Sequence, residues 1–130
     1  MSTDRRYEAG DVVWTADPFK TGDGLERLFL VVSRRTHPFD EEQFVGATVT
    51  TTDHGVAHPL RDEYWEYGGT PRQSYVLPLS LHTPRLSNVR APAGYDAIED
   101  PWQGRVTEAF LTNVIDEIVW TLRRPRRPVG

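Results

Sequence analysis

Apolar positions along this 130-residue chain change their period once. In "VTEAFLTNVIDEIVWTL", Phe110, Leu111, Val114, Ile115, Ile118, Val119 and Leu122 recur at helical spacing, with Glu108 and Glu117 on the polar side. Thr107 stands where an N-cap hydroxyl belongs. The pattern predicts one amphipathic helix whose apolar stripe lies on a sheet.

Everything before it is in short runs separated by turn formers. "DVVWTA" (Asp11 to Ala16) alternates, with Val12, Trp14 and Ala16 on one face and Val13 and Thr15 on the other, and Trp14 is assigned to the core. "RLFLVVS" is apolar on both faces, with five apolar residues in a row from Leu28 to Val32, and so predicts a central strand with Arg27 at its entrance. "QFVGATVTT" (Gln43 to Thr51), a weaker "VAHPL" and a clear "QSYVLPL" supply further strands. Asp17 to Glu26 is a long loop, and "RDEYWEYGGTPR" reads as a connection. Five or so short strands and one terminal helix predict a mainly β fold: a small, curved antiparallel sheet or barrel.

Composition narrows the function classes. The chain is one domain in length, has no apolar run long enough for a membrane span, and begins without a secretory signal, so a cytoplasmic, membrane-free protein is expected. With no cysteine there is no disulfide or thiolate metal site. The formal charge of −4 hides a division, because residues 123–130 carry four arginines and no acid, leaving 11 bases against 19 acids and a net of −8 in the body. An acidic body disfavours general nucleic-acid binding, which depends on phosphate contacts. The proline-broken "RRPRRPVG" predicts a basic, disordered tail over 123–130, after a domain at 9–122 and a flexible lead-in at 1–8.

No zinc spacing joins His37, His54, His58 and His82, and Asp40, Glu41 and Glu42 lack the alternating pattern of a calcium loop. Gly22 and Gly24 are followed by neither Lys-Ser/Thr nor a helix, and there is no Gly-x-Ser-x-Gly elbow. What remains is polar groups at strand ends: Arg27 opening the second strand, Thr50 and Thr51 closing the third, and His82 after "SYVLPL". On a barrel rim these would converge on one groove.

The order "GDVVW", "ERLFLVVSRRTHPF", "VGATVTTT", "GGTPRQSYVLPLSLHTPR" and "WQGRVTEAFLTNVIDEIVWTL" resembles the PemK/MazF family of toxins from type II toxin–antitoxin systems, over about residues 9–122. The likeness is greatest to the archaeal PemK-like branch, where "THPF" and a His-Ser/Thr-Pro turn recur. The resemblance implies an SH3-like barrel with a C-terminal helix, a homodimer, and cleavage of single-stranded RNA without metal or other cofactor, inhibited by a cognate antitoxin. It makes Arg27 the catalytic arginine and Thr50, 23 positions later, the catalytic threonine, with Asp17 to Glu26 as the loop over the RNA groove. An arginine common in the family falls on His82, and the proline that usually follows the first arginine is Leu28. These departures fall on the proton-transfer step.

The residue types suit that chemistry. Arginine offers phosphate oxygens a planar fork of donors that lysine does not. Threonine can orient the phosphate or the 2′-hydroxyl, and His82 is the best acid–base candidate by type. For RNA binding the candidates are Phe19, Lys20, Thr51, Trp65 and Arg85, with Tyr64 and Tyr67 beside Trp65 in a segment equally suited to a dimer interface. The alternatives are a non-catalytic barrel that binds RNA or protein, or a peptide-binding SH3-like module.

Overall fold

The computed structural model describes residues 5–16, 26–93 and 97–125. Among these, seven strands form one antiparallel sheet: β1 (Asp11–Ala16), β2 (Glu26–Val31), β3 (Gly46–Thr50), β4 (His58–Pro59), β5 (Trp65–Gly68), β6 (Tyr75–His82) and β7 (Trp102–Val106). Their spatial order is β4, β6, β3, β2, β1, β7, β5, and a single helix, α1 (Glu108–Arg123), follows. The mainly β, curled sheet with one C-terminal helix is the fold class expected from the sequence.

Strand β2 is central, as its two apolar faces require. Leu28 and Leu30 join Val12, Ala47, Val49 and Val76 under Phe110, Leu111, Val114 and Ile118 of α1. Phe29 and Val31 join Tyr7, Val13, Phe44 and Leu86 on the other side. Packing therefore reaches Tyr7, within the stretch expected as a lead-in. α1 starts as its sequence predicts, with the Thr107 hydroxyl accepting from the Phe110 N–H (3.2 Å). Glu117 is paired with His58 of β4, and Tyr64 stacks on Phe110 (5.0 Å between centroids), which fixes the helix against that sheet edge. The apolar stripe outruns the sheet, however, for Val119 and Leu122 are exposed. No described helix is long and apolar enough to cross a membrane.

Two strands went unforeseen. "YWEY", expected in a connection, contains β5, and "WQGRV" is β7, its partner. A Cβ on Gly104 would stand 2.4 Å from the Tyr67 carbonyl oxygen and 2.8 Å from the Trp65 ring, so the strands approach this closely only because the residue is glycine. That glycine, with flanking Gln103 and Arg105, also hides β7 from a search for β-favouring runs.

Strand β6 is bent. Leu77 lies opposite Thr48 but Leu81 opposite Ala47, so Pro78, Leu79 and Ser80 have no opposite residues on β3. The Thr48 hydroxyl donates to the Ser80 carbonyl (3.1 Å) and pins this bulge.

Candidate functional site

The register Leu28↔Val49, continued by one residue, sets Arg27 beside Thr50 at the open end of the β2–β3 pair. Opposite residues in such a ladder stand about 5 Å apart at Cα. Both are half-buried, and by strand alternation Arg27 shares a face with Phe29 and Thr50 with Thr48. They line a groove of 200 Å³ together with Trp14, Glu26, Thr51 and Ser74. The Thr52 N–H donates to Thr50 Oγ1 (3.1 Å), which uses one lone pair of that oxygen and leaves its O–H to donate. Arg27, Thr50 and Thr51 are thus brought together as expected.

Trp14 serves the site as well as the core to which the sequence assigns it. It packs against the core but is only half-buried and forms one wall of this groove. Its indole N–H donates to Gln103 Oε1 (2.9 Å), and Gln103 Nε2 donates to the Gly69 carbonyl (2.6 Å). Alternation along β1 gives no hint of this, because Gln103 belongs to the strand that could not be foreseen. The opposite wall includes the buried Ser74, whose hydroxyl donates to the Arg72 carbonyl (3.0 Å).

Glu26, which sequence reasoning passed over, has a side chain only 1% exposed. Its carboxylate accepts from the Ala93 N–H (2.9 Å) and from Arg90 Nε (2.9 Å). The Ala93 N–H is the main influence holding the carboxyl below the usual glutamate range; burial opposes it and Arg90 reinforces it. The Arg90 N–H also donates to the Trp14 carbonyl (3.1 Å), so segment 90–93 straps the ends of β1 and β2 next to Arg27. Because the folded pKa is depressed, Glu26 stabilises the fold above the ordinary glutamate value, about 4.3, and that contribution disappears as pH falls through its own lower value. The melting-temperature gap between wild type and Glu26→Gln should therefore close on acidification; a gap constant from pH 7 to pH 3 would contradict the assignment.

The other expected site residues lie elsewhere. His82 ends β6 opposite Gly46, four residues from Thr50 and hence roughly 13 Å along β3. Its ring meets Phe29 edge-on (5.4 Å between centroids), and it borders a different groove, with Arg85. The expected convergence of Arg27, Thr50 and His82 on one groove is not seen, because β6 runs antiparallel to β3: it starts with Tyr75 opposite Thr50 and ends with His82 opposite Gly46, away from the Arg27 end of the sheet. Trp65 sits on the edge strand β5, half-buried against the core, and borders a polar groove formed by residues of 60–73. Phe19 and Lys20 lie outside the described residues. Among the described residues, no three His, Asp or Glu side chains gather as metal ligands.

No protein-family model matches the sequence, and no curated protein matches it. A solved structure that shares the fold is described as an endoribonuclease in complex with its cognate antitoxin from mycobacterial species. The likeness covers 94% of this chain and 98% of that one, with a TM-score of 0.55 and 19% identity. At that identity it establishes the fold.

Proposed function

We propose that this protein is an endoribonuclease toxin of the PemK/MazF kind, which cuts single-stranded RNA without a metal, acts as a homodimer and is neutralised by a cognate antitoxin. The observation that carries the reading is Arg27 beside Thr50 in a groove at the open end of β2 and β3. The fold shared with an endoribonuclease that binds an antitoxin supports it, as does the motif order in the sequence.

In the proposed reaction the RNA's 2′-oxygen attacks the adjacent phosphorus, a new O2′–P bond forms and the P–O5′ bond breaks, leaving a 2′,3′-cyclic phosphate. Negative charge grows on the phosphoryl oxygens, where the Arg27 guanidinium supplies two parallel donors and a permanent charge. The Thr50 O–H donates to one of these oxygens and fixes the phosphate's orientation. His82 borders the adjoining groove and is not among the residues lining that of Arg27 and Thr50, so in this reading the 2′-hydroxyl proton leaves to water and the 5′-oxygen takes one from water.

The test is incubation of the purified protein with single-stranded RNA in EDTA, beside the same strand with 2′-deoxy sugars. Cleavage of the RNA alone, leaving cyclic phosphate ends, is the expected result. Intact RNA at high protein concentration would instead favour a non-catalytic binding module.

A further inference from the structure

The groove beside His82 has its own chemistry, and we propose that it is a second subsite for the RNA backbone, binding a phosphate several nucleotides from the one cleaved; this rests on the ribonuclease reading. Its volume is 430 Å³, and Ala16, His82, Thr83, Arg85 and Asn88 are among its lining residues. No carboxylate lines it among the described residues, whereas Glu117, Asp62 and the acids at 40–42 line grooves elsewhere on the molecule. On a body of net charge −8, an anion meets less repulsion from the described lining of this groove than from those.

Arg85 supplies the attraction. Arg5, Arg6, Arg34, Arg35, Arg90 and Arg105 each meet a carboxylate, but the exposed Arg85 meets none among the described residues. An uncompensated guanidinium is suited to forked pairing with phosphate oxygens. Its backbone is fixed in advance: Arg85 bridges Gln43, the Phe44 N–H donates to the Pro84 carbonyl (3.2 Å), and the Leu86 N–H donates to the Glu42 carbonyl (2.9 Å) above a buried Leu86 side chain. Thr83 and Asn88 add neutral donors at the same wall.

Position ties this groove to the reacting one. Ala16 lines it, and Glu26, the residue paired with Ala16, lines the Arg27–Thr50 groove. The two grooves therefore meet at the ends of β1 and β2. The roughly 13 Å along β3 between the Thr50 and His82 levels is too long for one nucleotide step and suits a short oligonucleotide.

The experiment uses uncleavable 2′-O-methyl RNA of two and six nucleotides, titrated into the full-length protein over a range of salt concentrations. Arg85→Gln should weaken hexamer binding about tenfold and leave the dinucleotide unaffected. The slope of log affinity against log salt for the hexamer should fall by about 0.7. Arg61→Gln, an equal charge change at another exposed arginine, should leave both measurements near wild type. The proposal is overturned if wild type does not bind the hexamer at low salt, if Arg85→Gln matches wild type, or if it weakens both oligonucleotides equally. Should unmodified RNA stay intact while Arg85→Gln still selectively weakens the hexamer, the subsite stands and the ribonuclease reading falls.

Discussion

Arg27→Ala is expected to lower the single-turnover rate of RNA cleavage by roughly 10²- to 10³-fold, the usual cost of removing one preorganised donor from a developing oxyanion. The loss should appear in kcat more than in KM, because the guanidinium is needed most where phosphoryl charge is greatest, in the transition state. Arg27→Lys restores the charge without the planar fork, so it should recover only part of the rate. Thr50→Val keeps the β-branched shape on β3 but removes the O–H that the Thr52 N–H contact leaves as a donor. Since both side chains would act on one phosphate, the double variant should be little worse than Arg27→Ala alone. Cleavage by Arg27→Ala within a few-fold of wild type, with an unchanged melting profile, would remove this residue from the mechanism.

Residues whose neighbours are close in sequence, or whose burial is two-sided, were legible. The run from Leu28 to Val31 could only be a central strand, and it is covered on both faces. Thr107 capped the helix where the period changed. What was not legible depends on backbone approaching backbone. β5 and β7 pair through the close contact at Gly104, and a glycine between Gln103 and Arg105 carries no β signal. Without β7 there is no Gln103 to receive the Trp14 indole, so the core assignment of Trp14 carries no sign of its place in the groove wall. In the site, strand-end placement brought Arg27 and Thr50 together, since neither β2 nor β3 is broken between them and the core. It failed for His82 because β6 runs antiparallel to β3, so that its start, Tyr75, and not its end lies opposite Thr50. Glu26 escaped notice because its partners, Arg90 and Ala93, are more than sixty positions away in a segment without periodicity.

A large stability effect is expected at Asp11, at the start of β1. Its side chain is 3% exposed and gathers three donors: the Glu8 N–H at 2.7 Å, the Trp102 indole N–H at 3.0 Å and Arg105 Nε at 2.8 Å. Two of these come from β7, so one carboxylate ties the N-terminal turn and both strands together. Asp11→Ala leaves two neutral donors unsatisfied and a guanidinium without its counter-charge. Arg105 is 36% exposed and can regain water in part, which places the cost at about 3 kcal/mol, near the low end for breaking a buried pair. For a domain of this size that is a fall in melting temperature of about 10 °C. Asp11→Asn retains one acceptor oxygen but turns an N–H₂ group toward the remaining donors, so it should cost less than alanine while still destabilising. Adding Arg105→Met to Asp11→Ala should recover part of the loss, because the stranded charge is then gone. A loss below 1 kcal/mol for Asp11→Ala, measured by denaturant titration, would show that the pairing of β1 with β7 stands without the carboxylate. If the full loss is found, RNA cleavage should weaken as well at temperatures below the melting point, since β7 carries the Gln103 that holds Trp14 in the wall of the Arg27 groove.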